Sequence, residues 1–331
     1  MEIDRLGNLA MKKRISTLPY QKLQPSQLKR LRWWGFCLSV VGLLGTCSVV
    51  SAAKIPANLQ TPNIPSEDFQ SAQDYYNRGK ELYKQRDYRQ AVEALTRAIE
   101  LDFKNVNVYL YRGHAYDNLR EYQKAIADYD RAIELKPDYA AAYYNRGNAY
   151  YDLEQYQKAI ADYDSAIELN PDYSVAYNNQ GSAYQQLGKY QKAISSYTRA
   201  IEIDNDWGSI GLETAYNNRG LAYRNLGQYQ EAISNYHHAI ELNPDFATFY
   251  NNLGSAYQKL EQYQKAISNY NRAIRIDPDR AFFYYNRAFV YETRGKIDEA
   301  RTNFERAAEL FQQKGNQQGY RDAMEQLEKL R

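Results

Sequence analysis

The chain has 331 residues, 42 Lys/Arg against 40 Asp/Glu, and a formal charge of +2. That near-balance hides an asymmetry: residues 1–54 hold nine bases and two acids, which leaves the remainder at −5. An acidic body excludes the basic footprint that nucleic-acid binding needs. Two cysteines, Cys37 and Cys47, both near the N-terminus, exclude a disulfide framework.

Residues 1–32 are a basic segment carrying Arg5, Lys12, Lys13, Arg14, Lys22, Lys29, Arg30 and Arg32. Residues 33–53 (WWGFCLSVVGLLGTCSVVSAA) follow without a charge, long enough to cross a bilayer as a helix. The Lys/Arg bias predicts that the preceding segment stays in the cytoplasm and that the rest lies on the other side, periplasmic or lumenal. Three fates remain open: a retained anchor, cleavage after Ala53 at Ser51-Ala52-Ala53 with secretion, or a lipoprotein processed at the box Leu44-Gly45-Thr46-Cys47. Residues 54–71, with Pro56, Pro62 and Pro65, read as an extended linker.

From residue 72 to 314 the chain repeats. Gly79, Gly113, Gly147 and Gly181 are evenly spaced, as are Gly220, Gly254 and Ala288. Numbering each unit so that this residue is position 8, Tyr75, Tyr109, Tyr143, Tyr177, Tyr216, Tyr250 and Tyr284 occupy position 4. Position 11 is Leu82 and then six tyrosines, and position 20 is always Ala. Position 24 is Leu95, Tyr129, Tyr163, Tyr197, Tyr236, Tyr270 and Phe304, position 27 is again Ala, and Pro137, Pro171, Pro244 and Pro278 stand at position 32. Positions 4, 8 and 11 share one helical face, and 20, 24 and 27 share a face of a second helix. The small residues let the paired helices approach, and the aromatic ones at 4, 11 and 24 are expected to fill the space between successive pairs. Proline at 32 separates units. A unit of this kind cannot bury its apolar face alone and must stack.

These residues resemble the tetratricopeptide repeat (TPR) family. The resemblance implies an all-α fold, a right-handed α-solenoid of seven helix-turn-helix repeats, here preceded by one transmembrane or signal segment. The step from Gly181 to Gly220 holds five extra residues near 205–213 (NDWGSIGLE). Trp207, Ile210 and Leu212 there either pack over the joint or form a hook for a partner. Residues 315–331 read as a C-terminal capping helix with a stripe of Tyr320, Met324, Leu327 and Leu330.

Little in the chain suggests chemistry. His237 and His238 point about 100° apart on a helix and cannot share a metal ion. His114, at position 9, is alone on the ligand side. There is no phosphate loop and no nucleophile motif, so neither an enzyme nor a cofactor is expected.

What the array offers is surface. Positions 2, 5, 6, 9, 12 and 13 line the concave groove in TPR proteins. Position 6 is Asn77, Tyr111, Asn145, Asn179, Asn218, Asn252 and Asn286, and Asn178, Asn217, Asn251 and Tyr144 stand at position 5. An amide both donates and accepts, as a peptide unit does. The series resembles the asparagine ladder in the TPR superhelix of O-linked N-acetylglucosamine transferase, which implies recognition of an extended peptide or protein segment. Asparagine at position 6 also serves as a helix-to-helix hydrogen-bonding residue. The expected function is a membrane-tethered scaffold with a protein or peptide ligand. The alternative is a structural assembly factor of a membrane complex, working through its convex face or by self-association.

Overall fold

The computed structural model describes residues 71–203 and 211–330. Among them the chain forms fifteen helices and no strand. The repeats are the pairs α1 (Ala72–Lys84) and α2 (Tyr88–Glu100), α3 (Val106–Asn118) and α4 (Tyr122–Leu135), α5 (Ala140–Asp152) and α6 (Tyr156–Leu169), and α7 (Ser174–Gln186) and α8 (Tyr190–Ile203). They continue with α9 (Leu212–Asn225) and α10 (Tyr229–Leu242), α11 (Ala247–Lys259) and α12 (Tyr263–Ile276), and α13 (Ala281–Thr293) and α14 (Ile297–Gln313). A single helix, α15 (Gln317–Lys329), closes the series. None of these helices is long and apolar enough to cross a membrane. The segment 33–53 lies outside the described residues, as do Trp207 and Ile210 of the insertion.

Each pair is joined by the same turn. Position 15 has positive φ in every repeat, at Arg86, Arg120, Glu154, Gly188, Gly227, Glu261 and Gly295. Its N–H and the next one return to the end of the first helix, as in Glu154 N→Tyr151 O and Gln155 N→Tyr150 O, both 2.9 Å. These two hydrogen bonds satisfy carbonyls that a helix end leaves unpaired.

The core keeps the expected division of labour and adds to it. Position 24 is fully buried; its rings cluster with small residues of the next repeat, as Tyr129 does with Ala142 and Ala149 and Tyr163 with Ala176 and Ala183, and they also fill the space inside their own pair. A methyl group at Gly113 would lie 2.6 Å from the Tyr129 ring, and one at Gly147 2.8 Å from that of Tyr163. The glycines therefore make room for a ring as well as for a helix. Each ring so buried contributes about 2 kcal/mol. Tyrosines at positions 4 and 11 are only half-buried, because their phenol ends reach the rim. There they lie under cations: Lys158 is 5.2 Å from the Tyr150 ring and Arg219 5.4 Å from Tyr216.

At the C-terminal end, Tyr320 and Met324 of α15 pack on the cluster around Ala307 and Phe311. Leu327 and Leu330 pack on the one around Ala288 and Phe304.

Candidate peptide-binding groove

Position 5 of one repeat and position 6 of the next stand side by side, and where both are polar they bond. Asn179 donates to the Tyr144 hydroxyl at 3.0 Å and to Asn148 Oδ1 at 3.0 Å. Asn252 donates to Asn217 Oδ1, and Asn286 to Asn251 Oδ1, both at 2.9 Å. Asn179 and Asn178 are 1% exposed, while Asn145, Asn217 and Asn252 are also buried. Asn145, facing apolar Leu110, turns its amide to Ala141 O on its own helix. Asn77 is exposed and accepts from Gln73. Asn218 is half-buried and accepts a long 3.4 Å bond from Asn217. Tyr111, which interrupts the series, is buried edge-on against Tyr76 and Tyr83.

The row of asparagines is thus first of all a seam between repeats. In the rungs at Asn252 and Asn286 the donor is spent on the preceding repeat, and the Oδ1 of each receives no bond from the described residues. His114 is not on the ligand side: it is 3% exposed, with its ring 5.8 Å from that of Tyr129. Burial pushes it down to about 4, partly opposed by the neighbouring Asn145 amide.

A second polar seam escaped the sequence reading. Position 7 bonds position 23 of its own repeat and position 25 of the preceding one. Arg112 grips Asp128 with Nε and Nη2, at 2.9 and 2.6 Å, and reaches Thr96 with Nη1. Arg146 takes Asp162 and Asp130 in the same way. Gln180 links Ser196 and Asp164, Arg219 links Asn235 and Thr198, and Arg287 links Asn303 and Asn271. Burial pushes the Asp128 and Asp162 carboxyls up, against the pull of Arg112 and Arg146. The signal was available: a long polar side chain at position 7 and a short polar one sixteen residues later recur together in five of the seven repeats. Leu253 replaces the donor in the sixth repeat and is buried.

These geometries meet what family comparison finds. Models described as "Tetratricopeptide repeat" match residues 72–105, 140–173 and 174–206, and residues 245–313. One described as "TPR repeat" matches residues 121–153 and 220–261. The matches together cover more than half of the chain. It belongs to the tetratricopeptide repeat family.

Solved TPR structures share the fold. The chain is similar to a tetratricopeptide repeat protein from Parabacteroides merdae at 18% identity and a TM-score of 0.61, over 77% of this chain and 99% of that one. It is similar to the C-terminal part of a TPR repeat-containing protein from Cytophaga hutchinsonii at 18% identity and 0.58, over 71% and 95%. It also resembles pilF of Pseudomonas aeruginosa at 15% identity and 0.56, over 67% and 97%. Such likeness carries the fold alone. No curated protein matches the sequence. A TPR solenoid is a scaffold suited to protein–protein interaction, and the fold implies protein or peptide partners.

Proposed function

We propose that this TPR protein is a non-catalytic scaffold that holds an extended protein segment in its concave groove. Residues 33–53 tether it to a membrane, with the repeats on the non-cytoplasmic side. The observation that carries the groove reading is the row of side-chain amides at positions 5 and 6, in which the Oδ1 of Asn252 and that of Asn286 accept no bond from the described residues. Main-chain N–H groups of an extended segment are the natural complement of spaced acceptors. Support for the tether is the uncharged run and the basic residues before it.

One observation favours a second reading, assembly through the convex face: several asparagine donors are already engaged between repeats. The two are separated by placing a photo-crosslinking residue either at Asn218, in the groove, or at Gln191, exposed on α8. In native membranes, adducts from position 218 that map to one extended stretch of a partner are expected. Adducts from position 191 alone would retire the groove. Alkaline carbonate extraction of the full chain tests the tether: it is expected to stay with the membrane pellet, and release would remove it.

A further inference from the structure

The joint between repeats 2 and 3 is closed differently from its neighbours. Between repeats 3 and 4, 5 and 6, and 6 and 7, an asparagine at position 6 bonds a polar group at position 5. Between repeats 2 and 3 that tie is missing, because position 5 is Leu110 and the Asn145 amide turns back to Ala141 O. The joint is held instead by Arg146 and Asp130, 2.6 Å apart, the one ion pair among the described residues that crosses between repeats. The preceding joint is closed by packed rings, Tyr76 and Tyr83 on Tyr111, and by a neutral acceptor, Thr96.

At the same joint stands His114, 3% exposed, with both ring nitrogens buried and without a hydrogen-bond partner. Three repeats enclose it: the Tyr83 ring of α1 at 6.1 Å, the Tyr129 ring of α4 at 5.8 Å, and the Asn145 side chain of α5. Elsewhere position 9 is Lys80, Asn148, Ser182, Leu221, Ser255 or Phe289, and none of these is fully enclosed. The groups that face the imidazole are two phenols and an amide. Asp117, on the same helix, acts on the Tyr83 phenol, and no described carboxylate acts on the ring.

An imidazolium has two N–H donors, and Asn145 Oδ1 is at most one acceptor for them. The closed joint therefore takes up a proton poorly, with the ring pushed down to about 4 by burial. A parted joint admits water and lets the ring titrate near its ordinary 6.5. The parted state thus binds the proton first as pH falls, and acid favours parting. Between pH 7 and 5 its share grows on the order of tenfold. Protonation of Asp130 would loosen the tie to Arg146 in the same direction.

We propose that the joint between repeats 2 and 3 is an acid-opened hinge: a proton on His114 parts it, and repeats 1–2 move as a block away from repeats 3–7. Each repeat of a solenoid contacts only its neighbours, so one joint can part while the blocks on either side stay folded. In acid the groove is cut between α3 and α5, whatever it holds. The device sets the length of the continuous surface and does not depend on the groove reading above.

The test measures distances by pulsed EPR on the full chain in detergent micelles, in a C37S/C47S background. Spin labels are placed at exposed position 18 of successive repeats. The pair Q123C/Q191C spans joints 2–3 and 3–4, and Q157C/Q230C spans 3–4 and 4–5. From pH 7.5 to 5 the first distance is expected to lengthen and the second to stay. H114F, whose ring cannot titrate, is expected to hold the first distance at its neutral value. D130N is expected to leave the response in place. A first distance that does not change, equal changes in both pairs, or a response that persists in H114F overturns the hinge. Loss of the response in D130N overturns His114 as its trigger. Should H114F misfold, the trigger is read in an H237Q/H238Q background, where His114 is the only histidine left. There the NMR signal of the ¹³C-labelled imidazole and the first distance are expected to share one midpoint. A ring that titrates while the distance stays fixed overturns the proposal.

Discussion

At the scale of single residues, the buried imidazole of His114 has the clearest consequence. Its folded value of about 4 lies below the ordinary 6.5. The unfolded chain therefore binds the extra proton first as pH falls. Stability from this group is full above pH 6.5 and is lost progressively down to pH 4. Between pH 6.5 and 5 the loss is on the order of 1–2 kcal/mol. Thermal melts of wild type and His114→Phe over that range should show the variant with a flatter slope; parallel slopes would mean that the ring is already solvated.

The glycine that makes room for a ring gives a second residue-scale expectation. Ala is the better helix former by about 1 kcal/mol, yet a methyl group at Gly147 would meet the Tyr163 ring at 2.8 Å. Tyr163 is itself fully buried and donates to Asn148 Oδ1, so it has nowhere to go. Gly147→Ala should destabilise by about 1–2 kcal/mol net, as overpacking does, visible as an earlier urea midpoint. The double variant Gly147→Ala/Tyr163→Leu should recover part of that, because the seventh repeat already pairs Ala288 with a ring lacking the hydroxyl.

The turn at position 15 governs the element scale. Three repeats place glycine in this left-handed conformation and four do not, with Glu154 at φ 59 and Gly188 at φ 70. Nothing lies within 4 Å of where a Gly188 Cβ would be, so substitution there tests backbone alone. Gly188→Ala should cost about 1 kcal/mol, and Glu154→Gly should gain up to a comparable amount, less the entropy glycine loses on folding. Calorimetric melting temperatures that move in the same direction for both would contradict this account.

Elements also show what was legible beforehand. The period, the helix pairs and the small-aromatic-Ala-Ala pattern could be read because packing repeats a residue type at a fixed step. Which side of the pair a ring fills could not: Tyr129 and Tyr116 are both tyrosines on apolar faces, and only the second-helix ring lies against glycine. The asparagine row was read for a ligand, although Asn179, Asn252 and Asn286 each serve the joint first. A side chain's bond to the preceding repeat depends on what stands thirty-five residues earlier. The arginine seam was overlooked because position 7 varies between Arg, Gln and Leu, so no column of identical residues flags it. Its pairing with a short polar residue at position 23, in five of the seven repeats, was the signal.

For the whole molecule, that seam couples each repeat to its neighbour. Removing Arg146 alone leaves Asp162 buried without its partner, a change that costs roughly 3–5 kcal/mol in comparable cases. Arg146→Leu should therefore unfold the array earlier, in two steps separated near the third repeat. Arg146→Leu/Asp162→Leu should restore most of the loss and the single step, much as Leu253 sits buried in the sixth repeat without an arginine. Urea unfolding monitored by circular dichroism distinguishes the cases. A double variant no better than the single one would mean that the ion pair, and not the orphaned carboxylate, was the stabilising element.

Both seams have a direction. Thr96, Asp130, Asp164, Thr198 and Asn271 accept from a donor in the repeat that follows, and so do Tyr144, Asn217 and Asn251. On a ribosome the acceptors emerge first, as short groups that water solvates easily. Each newly made repeat then brings the long donors that lock it onto the part already formed. A nascent array halted at any joint therefore leaves every such donor bonded to the preceding repeat, whereas one shortened from its N-terminal end leaves the first remaining guanidinium with its own repeat's acceptor alone. The solenoid is arranged to be completed in the order in which it is translated.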